Sequence, residues 1–407
     1  MEAEQQKVKY LPFSFEGSGK EYFRIWIVNI ALTILTLGIY SAWAKVRTNR
    51  YFYANTYLNG SNFEYNADPK RILIGRLVVV GIYIIFMVFF KYLGMFEVAG
   101  GIAIVALLAM PWLIRQAVSF KLRNTSYRNV PFRYTGRTRD FYKFFLITLI
   151  IFVPVIVLVM IGIPILSMII LFFFSASVYV KFKNLIINSS YYGNGKFLFD
   201  GKTGDVYNIY FKVSGWMILF FAGIITAVML IAFAGKAISG GYSEEVISQV
   251  ITMPSETIST ETISFETNSS ESYDEEVEMD SEDDGLFVGL ISIFMLLVYL
   301  PILFLQKGLT DGYHSNFVRN NTRLHTAPLK GDINPLKMAW ISATNILAII
   351  FSLGILYPWT KVRYIKYKLE HTYFRCADYE QFESHGYVTG STVGEETVDF
   401  FDIDIGL

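Results

Sequence analysis

The chain has 407 residues, of which 53% are hydrophobic, 17% aromatic and 17% charged, with 35 basic side chains balancing 35 acidic ones. Soluble chains carry about 25% charged residues, so the composition excludes an ordinary water-soluble domain. A single cysteine, Cys376, excludes an intrachain disulfide and any multi-cysteine metal or iron–sulfur centre.

The first twenty residues mix Glu, Lys and Gln without an apolar core or a small-residue cleavage site, so no signal peptide is expected. Residues 1–22 form an N-terminal tail. Eight apolar segments follow, at Phe23–Trp43, Ile72–Phe90, Val98–Val118, Phe144–Met160, Ile163–Val180, Val213–Phe233, Leu286–Leu305 and Ala339–Trp359. A helix of about 20 apolar residues spans a hydrocarbon core of ~30 Å. Lipid leaves no partner for unpaired backbone groups, so these segments are expected to be helical. The predicted fold class is an all-α polytopic transmembrane bundle, with either eight spans or six spans and two re-entrant segments. Phe144–Val180 is too long for one span, and Gly162-Ile163-Pro164 predicts a tight turn between two helices.

The zero net charge hides a segregation. No Lys or Arg occurs from Ala237 to Gln306, whereas Ser243–Asp284 holds fourteen acidic residues. Basic residues gather instead at Lys45–Arg71, Arg115–Lys143, Lys181–Lys212 and Lys307–Lys337, which the positive-inside rule places in the cytoplasm. The Ser/Thr/Glu-rich stretch 237–285 is then a periplasmic loop, expected to be disordered because it has no apolar core to bury. Membrane segments one to six occupy 23–236 and segments seven and eight 286–359, followed by a C-terminal tail, 360–407. Eight spans would put both termini outside. The basic start of the last tail (Lys361, Arg363, Lys366, Lys368) argues for inside, and re-entrant first and eighth segments reconcile the two.

Internal repetition is marked. Leu37-Gly38-Ile39-Tyr40-Ser41-Ala42-Trp43-Ala44-Lys45-Val46-Arg47 returns as Leu353-Gly354-Ile355-Leu356-Tyr357-Pro358-Trp359-Thr360-Lys361-Val362-Arg363, with Asn29 matching Asn345. Trp112, Arg115 and Asn124-Thr125 form a looser copy, and Asn188-Ser189 and Asn321-Thr322 fainter ones. An aromatic pair followed by glycine recurs at Phe13-Ser14-Phe15-Glu16-Gly17, Phe132–Gly136 and Phe197–Gly201, and without its glycine at Phe63-Glu64-Tyr65. Together these predict five copies of one module, each with an aromatic–glycine turn.

The Leu35–Arg47 stretch and the Phe-x-Phe-x-Gly opening resemble the YjgN-like family of bacterial inner-membrane proteins, a domain of unknown function. The resemblance implies a polytopic inner-membrane protein and brings no activity, substrate or catalytic residue.

Candidate site residues follow from the matched copies. Trp43 and Trp359 end apolar segments, where an interfacial aromatic belt is the simplest role. Lys45, Arg47, Lys361 and Arg363 come next and attract anionic headgroups at ~1 kcal/mol per charge; the sharper alternative is a shared cationic site for an anionic lipid or solute. Asn29 and Asn345 lie fourteen residues before their tryptophans, ~21 Å along a straight helix. Interhelical hydrogen bonding or a polar pathway accounts for them. Arg76 is expected to snorkel to the cytoplasmic face. The repeated Asn-Thr pairs are expected to cap helices.

No histidine has metal-ligand spacing, and Asp280-x-Glu282-x-Asp284-Gly285 lacks the closing glutamate of a calcium loop, having Ile291 there. No cofactor, metal, catalytic residue or nucleic-acid partner is expected. The expected partners are membrane lipids, through anionic headgroups at the cytoplasmic face, and a small solute. The functional expectation is a non-enzymatic transporter or binding protein for a small solute or lipid, the alternative being a structural or scaffolding membrane protein.

Overall fold

A computed structural model describes residues 9–251 and 281–376. In chain order the elements are β1 (Lys9–Phe15), α1 (Gly19–Leu35), α2 (Ser41–Ala54), β2 (Thr56–Leu58), β3 (Ser61–Tyr65) and α3 (Pro69–Met87), which closes in a π-helical turn, Val88–Tyr92. There follow α4 (Phe96–Arg123), β4 (Thr125–Tyr127), β5 (Val130–Tyr134), α5 (Thr138–Met160), α6 (Pro164–Ile187), β6 (Ser190–Tyr192), β7 (Gly195–Phe199) and α7 (Thr203–Ile251). The last are α8 (Ser281–Asn320), β8 (Thr322–Leu324), β9 (Ala327–Gly331), α9 (Pro335–Phe351), α10 (Tyr357–Glu370) and β10 (Thr372–Cys376). Two compact units emerge, Met1–Phe211 with Pro301–Leu407 and Lys212–Leu300. The barrel and the candidate site described below belong to the first. The stretch expected to be a disordered acidic loop falls in part on 252–280, outside the described residues, as does most of the C-terminal tail.

The all-α expectation is overturned. Ten strands close an antiparallel barrel in the order β1-β10-β9-β8-β7-β6-β5-β4-β3-β2. The aromatic–glycine phrases read as turns are strands: aromatic and polar residues alternate with the period of two that a pleated strand imposes. Phe15, Tyr65, Tyr134 and Phe199 are buried, whereas Glu64, Arg133 and Lys330 are exposed. Rings from strands two apart touch, with Phe13–Phe63, Tyr127–Tyr192 and Phe132–Phe197 centroids at 6.0, 6.0 and 6.2 Å, so the aromatic face is the concave, inner one. The glycine two residues on has a steric reason. A Cβ at Gly136 would lie 2.1 Å from the Tyr134 hydroxyl, and one at Gly201 2.4 Å from the Phe199 ring, because each ring folds back over its glycine. Two-residue turns with positive φ at both positions, Asn59-Gly60 and Arg128-Asn129, join β2 to β3 and β4 to β5.

Five helical excursions leave the barrel and return to the neighbouring strand. The register pairs the last residue before each excursion with the first after it: Phe15 with Thr56, Tyr65 with Thr125, Tyr134 with Ser190, Phe199 with Thr322, Gly331 with Thr372. One backbone bond clamps each neck, such as Glu16 N–H to Asn55 C=O at 3.0 Å and Asp332 N–H to His371 C=O at 2.9 Å. Hydroxyls of Thr56, Thr125, Ser190, Thr322 and Thr372 each donate to the carbonyl four residues back, at 2.6–2.9 Å, closing the last helical turn. In the third neck Ser190 does this, one place beyond the expected Ser189.

Among the described residues four helices are long and apolar enough to cross a membrane: Pro69–Tyr92, Phe96–Arg123, Thr138–Met160 and Pro164–Ile187. The last two meet at the expected turn, with Gly162 at φ +82° and Pro164 opening α6. Apolar segments one and eight are not single helices. Each folds into a helix–turn–helix of 17 and 14 residues, α1–α2 and α9–α10. The recurrent Leu-Gly is the turn: Leu37 and Leu353 at φ +49° and +50°, then Gly38 and Gly354 at +93° and +89°. The turn satisfies itself. Gly38 N–H donates to Thr33 C=O at 2.7 Å, and the Thr36 hydroxyl accepts from Tyr40 N–H at 2.9 Å; Ser352 accepts from Leu356 N–H at 3.0 Å in the second copy. That lets an apolar tip (Leu37 94% exposed, Leu353 93%) avoid orphaned backbone groups.

Candidate functional site

The α1–α2 and α9–α10 hairpins stand side by side because β1 pairs with β10, and Phe23 packs on Trp359 at 5.1 Å. Between α1, α2 and α3, with Tyr357 and Lys361 of α10 also lining it, lies a cleft of about 840 Å³. Its cations come from three helices: Lys45 on α2, Arg76 on α3 and Lys361 on α10. Asn29, Thr33, Ser41, Thr48 and Asn49 add amides and hydroxyls, and Ile30, Ile34, Leu77 and Val80 supply an apolar flank.

Local contacts hold these groups in place. Lys361 Nζ lies 5.6, 5.1 and 5.7 Å from the rings of Tyr22, Phe52 and Tyr357, a cation–π cage that fixes its position. Burial raises the Tyr22 hydroxyl above its ordinary range, opposed by the positive charge of Lys361, so Tyr22 stays a neutral donor. Arg76 donates from Nη1 to Ser41 Oγ at 2.5 Å. Arg76 is seven residues, ~10 Å, up α3, whereas Ser41 is thirteen residues, ~20 Å, from the barrel end of α2. A hydroxyl on the facing helix is thus the acceptor of Arg76.

The sequence-derived candidates divide. Asn29, Lys45 and Lys361 share the cleft. Asn29, 5% exposed, donates from Nδ2 to Ala44 C=O at 3.3 Å, and its Oδ1 has no hydrogen-bond partner. The ~21 Å depth expected from a straight helix fails, since the chain reverses at 36–40 and brings Asn29 level with Ala44. Asn345 makes the equivalent bond to Thr360 C=O at 3.1 Å, but its Oδ1 accepts from Arg363 Nη1 at 3.4 Å, and Arg363 also donates to Thr344 Oγ1 at 3.0 Å. Neither Asn345 nor Arg363 lines the cleft. Arg47, the counterpart of Arg363, is exposed. Trp43 packs against the buried cluster that contains Val46, Tyr65, Ile72 and Phe120, stacked on Tyr40 at 6.2 Å. Trp359 lies over Gly19, where a Cβ would come within 2.3 Å of its ring. Ser41 and Tyr22 were missed from sequence, and Arg76 was read only as a snorkelling side chain, since only the hairpin fold gives them a common wall. Among the described residues no group of three or more His, Cys, Asp or Glu side chains is placed to hold a metal ion.

The chain matches the model of a family described as a bacterial protein of unknown function (DUF898) over residues 10–400. Three similar proteins each carry the name inner membrane protein YjgN. That of Escherichia coli O157:H7 is 45% identical over 71 residues, 17% of this chain and 18% of that protein. Those of E. coli K12 and Salmonella typhimurium are 44% and 46% identical over 71 residues, with the same coverage. The chain thus aligns with less than a fifth of the length of these relatives. No solved structure matches. With four membrane-length apolar helices and a family match over almost its whole length, this membrane protein belongs to the DUF898 family of bacterial proteins of unknown function.

Proposed function

We propose that the protein is a multi-pass inner-membrane protein that binds an anionic small solute or lipid headgroup in the α1–α2–α3 cleft, as a non-enzymatic transporter or binding protein. The carrying observation is the convergence of Lys45, Arg76 and Lys361 from three helices on one cleft with an apolar flank. Fixed cations beside an apolar wall fit an amphiphilic anion, with charge-assisted bonds for its head and dispersion contacts for its tail. Arg76 strengthens the reading: a guanidinium on an apolar helix of membrane length is expensive to place and marks a functional site by default.

The orientation is part of the proposal. Basic necks favour a cytoplasmic barrel, with the acid-rich stretch 237–285 on the periplasmic side.

The test is ligand retention by the full-length protein purified in detergent. Native mass spectrometry with added phosphatidylglycerol, phosphatidylethanolamine or glycerol phosphate should show selective retention of the anionic species. Arg76→Ala with Lys45→Ala should abolish that selectivity while the thermal melt remains cooperative. Equal retention of all three by wild type would refute the binding reading and favour the scaffold.

A further inference from the structure

We infer that the outer face of the barrel over β7 to β10 is the docking surface for this chain's own acidic tail, residues 377–407. That segment lies outside the described residues and leaves the barrel from the end of β10. The inference is independent of the cleft.

The first observation is how charge is divided around the barrel. Strand register fixes which side chains share the outer face. Arg133 stands opposite Tyr191 and Tyr191 opposite Lys196. Leu198 faces Arg323, Lys330 faces Tyr373, and Arg375 faces Tyr10. Strands β5 to β10 contain five cations, Arg133, Lys196, Arg323, Lys330 and Arg375, all exposed, and no acidic residue. Strands β1 to β4 hold Lys9 and Glu64. The cations therefore form a belt on one side of the barrel, interleaved with rings and an aliphatic side chain.

The second observation is what two of those cations lack. Arg323 has a carboxylate, Asp200, at 3.0 Å. Lys330 and Arg375 instead lie over the ring of Tyr10, each 5.6 Å from its centroid, and Tyr10 is itself 46% exposed. Among the described residues no carboxylate pairs with either. A ring attracts a cation without taking up its N–H groups, so the donors of both remain for a carboxylate.

The third observation is the chain that follows. Residues 377–407 hold eight acidic residues and no Lys or Arg, with Tyr379, Phe382 and Phe400-Phe401 set among them. Acids and rings thus alternate in the tail as cations and rings do on the belt. Asp378 and Glu380 follow Arg375 by three and five residues, so the tether holds them at the belt at an effective concentration of order millimolar. Thirty-one residues reach up to ~100 Å when extended, whereas β10 to β7 is three strand spacings, ~14 Å. A tethered segment follows a curved belt, which a planar bilayer touches along one line. A second copy presents the same positive belt and is repelled.

The seat has a structural consequence. β1 and β10 are the neighbours in the ring that are not consecutive in the chain. A tail lying over Lys330, Arg375 and Tyr10 braces that closing seam.

The experiment treats the full-length protein in detergent with a carbodiimide, which joins a carboxylate to a lysine amine in direct contact. Peptide mass spectrometry should find Lys330 and Lys196 joined to acids of 377–407, with Lys366–Glu370, 3.8 Å apart, as the internal control. Roughly 0.5 M salt, where the screening length is ~4 Å, should lower the tail links about threefold or more. Arg375→Gln with Arg323→Gln leaves both amines in place and should do the same at low salt. Asp378→Asn with Glu380→Gln and Glu383→Gln alters the tail alone, for the case in which the barrel variant fails to fold. It should lower the links made by the acids that remain. A Lys366–Glu370 link formed without any tail link to Lys330 or Lys196 would overturn the inference. Tail links that survive high salt and both variants would overturn it too, since they report nearness without charge recognition. Links of mixed label, in a mixture of isotope-labelled and unlabelled protein, would assign the surface to a second copy and overturn docking within one chain.

Discussion

Gly308→Ala gives the sharpest test of how the second short hairpin is seated. A Cβ at Gly308 would lie 2.5 Å from the Ala339 Cα, 2.7 Å from the Met338 carbonyl oxygen and 2.7 Å from Ser342 Oγ. One turn on, a Cβ at Gly312 would be 2.8 Å from the Pro335 Cα. The spacing is small-xxx-small, and α9 answers with Ala339, Ser342 and Ala343, so the backbones of α8 and α9 touch. Two of the three obstacles at Gly308 are backbone and cannot rotate away. Reaching ordinary contact requires α9 to move by ~1 Å, an overpacking cost of about 2–3 kcal/mol. Helix α9 carries α10 and hence Lys361, so the variant should weaken anionic-ligand retention as well as stability. The control is Gly100→Ala, a helical glycine with nothing within 4 Å of its Cβ, which should be neutral or stabilising by up to ~1 kcal/mol. Chemical and thermal unfolding in one detergent, followed by tryptophan fluorescence, separates the two. A Gly308→Ala protein as stable as Gly100→Ala would refute the close α8–α9 approach.

Two further outcomes follow from the geometry. Asn29→Leu should change stability by less than ~1 kcal/mol, because it removes an unpartnered buried oxygen together with one long bond, whereas Asn345→Leu should cost about 1–3 kcal/mol by breaking its link to Arg363; equal unfolding midpoints for the two variants would contradict the assignment. Burial holds the hydroxyls of Tyr51 and Tyr192 at about 12 against an ordinary 10.0. These are raised values, so the stabilisation is fully present below about pH 10 and is lost as pH rises towards about 12. Melting points across that interval should fall, less steeply in the Tyr51→Phe, Tyr192→Phe double variant, and a flat profile for wild type would count against burial of these rings.

Much of the chemistry was legible in particular residues. The period-two run Phe63-Glu64-Tyr65 and the Asn59-Gly60 turn before it are the ordinary signs of a hairpin, yet in five-residue strands they were outweighed by the apolar runs around them. A strand of three residues, such as Thr125–Tyr127, carries no period at all, and only pairing with both neighbours makes it a strand. The Leu37-Gly38 turn was hidden for a related reason. Its flanks are as apolar as a continuous span, and the positive φ that reverses the chain leaves no mark in hydropathy. Arg76 was visible as an intramembrane cation, but its direction depended on Ser41, thirty-five residues earlier.

By itself the sequence determined the solvent. Hydrophobicity sums residue by residue, so long apolar runs, basic necks and the acid-rich stretch are readable without any contact. It also set the candidate list, because the matched copies single out Asn29, Trp43, Lys45 and Arg47 with Asn345, Trp359, Lys361 and Arg363 whatever their arrangement; only Asn29, Lys45 and Lys361 share the cleft. Tertiary structure alone decided that five excursions spring from one barrel, that two of them are short helix–turn–helix hairpins, and that cations from three helices share a wall. Ring closure and antiparallel return are relations between residues far apart in the chain, set by cross-strand hydrogen bonds and ring contacts that no local window contains.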